Sequence, residues 1–130
     1  MILRLLLDTH VALWAILDDP QLSSKARQLI LNTGNAIIVS AASVWEISIK
    51  HGLARGQMPI SGAEALQYFR EAGYELMAIS PMHAALVGAL PPIHSDPFDR
   101  LLLAQARAES ASLLTHDRVI AKYGDPVVLA

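Results

Sequence analysis

Four acidic side chains, Asp8, Glu46, Asp99 and Asp117, stand where apolar stretches of the chain stop or turn. Asp8 closes the run Ile2-Leu3-Arg4-Leu5-Leu6-Leu7, and Asp117 closes Ser112-Leu113-Leu114-Thr115. Glu46 lies about two turns beyond Ala36-Ile37-Ile38-Val39, and Asp99 opens the helical stretch that runs to Glu109. Carboxylates gathered in one crevice repel and raise one another's pKa unless a cation neutralises them. A hard divalent ion, Mg²⁺ or Mn²⁺, does so through oxygen ligands. The chemistry such a set suits is phosphodiester hydrolysis, in which bound metal orients and deprotonates water and offsets charge on phosphorus and on the leaving oxygen. One ion or two would serve. The plainer account makes Asp99 a helix-start residue and Asp117 a turn residue, both positions that Asp favours for local reasons.

For these acids to meet, the elements carrying them must share one edge. Strand candidates at 2–7, 36–39, 76–79, 112–115 and 127–129 alternate with helical segments, so the pattern predicts an α/β fold: a three-layer α/β/α domain around a mostly parallel sheet of about five short strands. Open parallel sheets bind ligands outside the carboxyl ends of their strands. Helices are expected from His10 to Leu17, from a Ser23 cap toward Asn32, from a Ser40 cap to Lys50, from Pro59 and Ser61 to Gly73, from Ser80-Pro81 to Leu90, from Pro97 to Glu109, and from Val119 to Tyr123. Ser43 and Glu46 offer a second capping pair one turn after Ser40. His51-Gly52 and Arg55-Gly56 break the helix that carries Glu46. Asp96, just before Pro97, has three readings: helix cap, outer support, or rival to Asp99 as a ligand.

The 130 residues suit one domain, 1–130, with no second catalytic unit. Hydrophobic residues make up 53% but aromatics only 5%, so the core must be aliphatic. No window is long and uncharged enough to span a membrane, and Arg4 and Asp8 interrupt any leader pattern, which makes a cytoplasmic location the expectation. The absence of cysteine excludes disulfides, thiolate nucleophiles and cysteine metal sites. Ten Lys and Arg against twelve Asp and Glu give a net charge of -2, which argues against broad passive attraction to nucleic acid. A cation bound among the acids reverses that locally.

His10, His94 and His116 each lie within a few residues of a proposed acid and raise a zinc alternative. An all-carboxylate set favours a harder ion, leaving these imidazoles to pack at the crevice rim or to position phosphate. His51 and His83 read as structural or exposed. Trp14 and Trp45 fall on apolar helical faces, suited to core or subunit packing or, less directly, to base stacking. Lys50, four residues after Glu46, can pair with it or reach a phosphate, and Arg100 beside Asp99 has the same two readings.

Taken together, Leu6-Leu7-Asp8-Thr9-His10 with Trp14, Ser40-Ala41-Ala42-Ser43-Val44-Trp45-Glu46-Ile47 with Lys50, His94-Ser95-Asp96-Pro97-Phe98-Asp99-Arg100 and Leu114-Thr115-His116-Asp117 resemble the PIN-domain family, specifically its VapC-type toxin ribonucleases of type II toxin-antitoxin pairs. The resemblance spans essentially the whole chain. It implies that Asp8, Glu46, Asp99 and Asp117 are the catalytic metal carboxylates, in that order, with Thr9, Thr115 and Asp96 in support and Mg²⁺ or Mn²⁺ as cofactor. It further implies an endoribonuclease acting on RNA, a homodimer, and a cognate antitoxin through which alone operator DNA is reached. Lys50, Arg100 and His116 are the candidate contacts to substrate phosphate. Two other classes compete. An aspartyl-phosphate domain would carry a second Asp two residues after Asp8, where His10 stands, and no Gly-rich phosphate loop occurs. A non-catalytic cation- or nucleic-acid-binding module of the same fold would have little use for four intact acids.

Overall fold

The computed structural model describes residues 2–53 and 58–130. Five strands, β1 (Arg4–Leu7), β2 (Ala36–Ser40), β3 (Glu75–Met77), β4 (Ser112–Thr115) and β5 (Val127–Leu129), form one sheet in the order β3-β2-β1-β4-β5. Every pairing is parallel. The helices are α1 (Thr9–Leu17), α2 (Ser24–Leu31), α3 (Ala41–Gly52), α4 (Gly62–Glu71), α5 (Pro81–Leu86), α6 (Pro97–Ala108) and α7 (Arg118–Ala121), with a 3-10 turn at Val87–Ala89.

Alternation along the strands sends successive side chains to opposite faces and builds two cores. Leu5, Leu7, Val39 and Leu114 pack with Val11, Ala12 and Leu13 of α1, Ile47 of α3 and Phe69 of α4. Leu6, Ile38 and Leu113 pack on the other side with Leu102, Leu103 and Ala106 of α6 and with Ile120 of α7. The result is the expected three-layer α/β/α arrangement. No helix among the described residues is long and apolar enough to cross a membrane.

Several boundaries move for physical reasons. The first strand starts at Arg4 rather than Ile2 because its partner β2 begins at Ala36, opposite Arg4. The third occupies Glu75–Met77 rather than 76–79 because β2 ends at Ser40, opposite Met77, and offers Ala78 and Ile79 nothing to pair with. The helix expected to reach Leu90 closes at Leu86 and tightens into the 3-10 turn. Of the two breaks expected after Lys50, Gly52 ends α3, and Arg55-Gly56 lies outside the described residues.

The α3–α4 seam depends on Gly62. A Cβ there would fall 1.7 Å from Ser48 Oγ, 3.0 Å from Ser48 Cβ and 3.1 Å from the Val44 carbonyl oxygen. A rotation of Ser48 relieves only the first of these, so the helices must part. Gly62→Ala is expected to destabilise the protein by about 1–3 kcal/mol, read by chemical denaturation.

Candidate metal centre

The central position of β1, between β2 and β4, decides which residues meet. Asp8 is the first residue past β1, and its backbone N–H extends the ladder to the Leu114 carbonyl at 3.0 Å. That register sets it beside Thr115, whose hydroxyl donates to Asp8 Oδ2. The other carboxylate oxygen, Oδ1, accepts from Val11 N at 2.9 Å and so caps α1. Asp117, two residues beyond Thr115, donates its backbone N–H to the Thr115 hydroxyl oxygen at 3.0 Å and caps α7 with Oδ1. One threonine therefore joins the first acid to the last.

Glu46 arrives from the β2 side. Ser40 caps α3 through Ala42 N, and the Thr9 hydroxyl donates to Ser43 Oγ at 3.0 Å, pinning the first turn of α3 to the start of α1. Ser43 is thus a clasp and not the second cap that its spacing allowed. Glu46 follows on the same buried face, 3% exposed. Its Oε2 accepts from Lys50 Nζ, whereas Oε1 is buried with no hydrogen-bond partner.

Asp99 is delivered by α6, which runs back along the sheet to lead into β4 and so begins at the carboxyl edge. Asp96 is its cap, accepting from Phe98 N at 2.8 Å and Asp99 N at 3.0 Å through Oδ1. Pro97 fills the first helical position, where no N–H is required.

Burial and like charge shape the titration of these groups. Asp99 is pushed up to about 7, first by desolvation and then by the charges of Asp96, Asp8 and Glu46. Asp8 is raised by burial despite its bonds from Thr115 and Val11. Slight desolvation opposes the charge of Asp117, but the bond from His94 and two backbone N–H groups outweigh it and hold that carboxyl below its usual range. Partial burial likewise opposes the charge on Lys50, yet its bond to Glu46 and the fields of Glu46, Asp96 and Asp99 leave the ammonium held more firmly than usual.

The sequence left His94 between rim packing, phosphate positioning and a zinc alternative; the structure sets it between two acids. Its Nε2 lies 3.1 Å from Asp117 Oδ2 and 3.3 Å from Asp99 Oδ2, and the three side chains offer ligand atoms within 4.8 Å of one another. Nδ1 accepts from Asp96 N at 3.0 Å, so the hydrogen-bond pattern assigns the neutral ring's proton to Nε2. In that tautomer the imidazole donates to Asp117 Oδ2 with Asp99 alongside, and Nε2 becomes a ligand only by giving the proton up. The nearness of His94 to Asp99 in the compact His94-Ser95-Asp96-Pro97-Phe98-Asp99 was the available signal.

The remaining candidate residues separate. Arg100 spends its guanidinium on the carbonyl oxygens of Val87, Leu90, Pro91 and His94 and on Tyr123 Oη, so it braces the loop before α6 instead of pairing with Asp99. His116 places Nδ1 3.2 Å from the Ala130 carbonyl oxygen and its ring edge-on to Trp14, against which His10 is also tilted. Trp45 is 54% exposed and meets Phe98 edge-on, outside both cores. His83 is buried, bonded to Ser80 N and Glu109.

The residues present fit a hard cation: a buried, unsatisfied carboxylate oxygen on Glu46 is costly unless something positive completes it. The whole arrangement is that of an α/β domain with acids gathered at the carboxyl ends of its central strands. The chain belongs to the PIN-domain family, whose model, described as PIN domain, matches residues 5–126, and it is homologous to VapC-type toxins of toxin-antitoxin systems. Ribonuclease VapC22 of Mycobacterium tuberculosis is 34% identical over 122 residues, covering 93% of this chain and 92% of that protein. Among solved structures, VapBC2 from Rickettsia felis bound to a promoter DNA fragment superposes with a TM-score of 0.67 at 22% identity, covering 100% of this chain and 98% of the other. DNA-bound VapBC from Salmonella typhimurium gives 0.68 at 16% identity, covering 98% and 97%.

Proposed function

We propose that the chain is a metal-dependent endoribonuclease, the toxin of a toxin-antitoxin pair, hydrolysing RNA phosphodiester bonds at Asp8, Glu46, Asp99 and Asp117. The observation that carries this reading is the unsatisfied Oε1 of Glu46, buried where the charges of Asp8 and Asp99 are also felt. Relationship to a protein named as a ribonuclease supports the substrate class.

In this reading the four acids hold Mg²⁺ or Mn²⁺, which supplies Lewis acidity and an activated water at neutral pH. Thr115 fixes the orientation of Asp8 and the backbone of Asp117 at once. Thr9, through Ser43, holds α3 at the distance that Glu46 requires. Asp96 shapes the start of α6 and adds negative potential without being needed as a ligand, its Oδ1 being engaged by two backbone donors. Asp99, neutral until about pH 7 in the free protein, ionises when a cation enters. A chain of net charge -2 draws RNA by the bound cation more than by an extended basic groove, which suits an exposed single-stranded element such as a loop. A cytoplasmic homodimer, restrained by an antitoxin that makes the contact to operator DNA, completes the proposal. VapBC assemblies on DNA are the precedent among the structural neighbours.

The test incubates purified chain, free of any antitoxin, with structured and unstructured RNAs and either Mg²⁺ or Mn²⁺. Cleavage is expected with metal and none once EDTA removes it. RNA that is bound but stays uncut with every metal tried would assign the fold a binding role instead.

A further inference from the structure

Glu46 divides its two oxygens between different neighbours. Oε2 accepts from Lys50 Nζ at 2.5 Å, one helical turn further along α3, while Oε1 has no partner. The carboxylate is 3% exposed and the lysine side chain 28%, so the ammonium lies over Glu46 toward solvent, within the fields of Asp96 and Asp99 as well. On the other flank, His94 links Asp99 to Asp117. The two flanks differ in kind: an imidazole between two acids on one and a lysine ammonium on the other.

Resting on the metal-site reading above, we propose that Lys50 is a resident cation of the centre, standing where a second divalent ion would otherwise stand, so that the site takes one metal ion and not two. Two-metal sites hold their ions about 3.5–4 Å apart and clamp substrate oxygens between them. A carboxylate that bridges such a pair gives one oxygen to each ion. Glu46 has only Oε1 to give, because Oε2 already faces a full positive charge. Four ionised acids carry four negative charges, and one divalent ion with the ammonium offsets three of them, leaving the crevice close to balance before substrate arrives. The competing account makes Lys50–Glu46 an ordinary pair at i,i+4 spacing, without influence on metal number. Lys50 is in either case a positioning residue for Glu46, and the number of ions bound separates the two accounts.

The experiment counts Mn²⁺ per chain at about pH 8 by the loss of the free-ion electron paramagnetic resonance signal and by calorimetry. It uses the full chain as wild type, Lys50→Met and Lys50→Arg, with circular dichroism confirming that each is folded. Wild type and Lys50→Arg are expected to saturate at one ion. Lys50→Met is expected to take a second, weaker ion and to show the broadening of two neighbouring Mn²⁺ spins. Two ions in the wild type, or a single ion of unchanged affinity in folded Lys50→Met, would overturn the assignment to Lys50 while leaving the metal centre intact. Absence of Mn²⁺ binding in every folded variant would overturn the metal centre and with it this proposal.

Discussion

Asp99→Asn is expected to make the protein at once more stable and inactive. In the metal-free chain the Asp99 carboxyl sits at about 7, against an ordinary value of 3.8, because it is desolvated and faces Asp96, Asp8 and Glu46. The folded state therefore binds a proton that the unfolded state has lost. The stabilising contribution of the neutral acid is fully present below about pH 4 and fades as pH rises through about 7, above which the folded protein must hold the charge. The amide has no charge to hold. With the side chain only 19% exposed, the variant should exceed wild type by about 2–4 kcal/mol above pH 7, with little difference near pH 4. Asp8 is shifted the same way and steepens the wild-type loss without altering the comparison. Metal should reverse the ranking, since saturating Mg²⁺ or Mn²⁺ stabilises the wild type by mass action and the variant far less. Losing a ligand worth several kcal/mol in the transition state corresponds to about a thousand-fold slower RNA cleavage. Denaturation across the pH range, with and without metal, and cleavage kinetics check each part. Equal stability of the two chains at high pH would show that Asp99 is not the stressed group.

Arg100→Ala should be the most damaging substitution outside the acids. The guanidinium meets four carbonyl oxygens between Val87 and His94, at 3.1 to 3.4 Å, and Tyr123 Oη at 3.2 Å. Tyr123 in turn accepts the backbone N–H of His94 at 3.0 Å and donates to Pro91 O at 2.8 Å. Some of the freed carbonyls recover water, so the loss is smaller than a sum of charge-assisted bonds, about 3 kcal/mol by chemical denaturation. RNA cleavage at saturating metal is expected to fall about ten- to a hundred-fold, because His94 hangs from this brace while touching Asp99 and Asp117. Lys in place of Arg should recover little: a single ammonium cannot serve carbonyls spread along the loop as a planar fork of five donors does. Full activity in folded Arg100→Ala would mean that the loop holds its shape without the brace.

The sheet was legible because buried parallel strands are short continuous apolar runs, and Leu5-Leu6-Leu7 and Leu113-Leu114 are hard to read otherwise. The expected family was legible because the motifs Leu-Leu-Asp-Thr and Asp-Pro-Phe-Asp-Arg sit at element boundaries. The role of Arg100, left open between an Asp99 pair and a phosphate contact, was not: neighbours i and i+1 on a helix point about 100° apart, so Arg100 faces Tyr123 and the preceding loop while Asp99 faces His94. The same rotation explains Trp45. α3 buries Ala42, Ser43, Glu46 and Ile47, which turns Trp45 outward even though its residue type suggests a core. His94 was hidden for another reason, since its place depends on how a loop folds back, which periodicity does not encode. Strand ends shifted wherever a partner strand stopped first, a property of pairs that no single segment displays.

The bond from Thr115 to Asp8 joins residues 107 positions apart. β1 is the central strand, and its second edge is paired only by β4, from the far end of the domain's sequence. A nascent or prematurely terminated chain that stops short of residue 112 lacks both the strand that closes that edge and the fourth acid. The candidate centre beside β1 is thereby incomplete in any fragment that lacks β4, a dependence set by strand order.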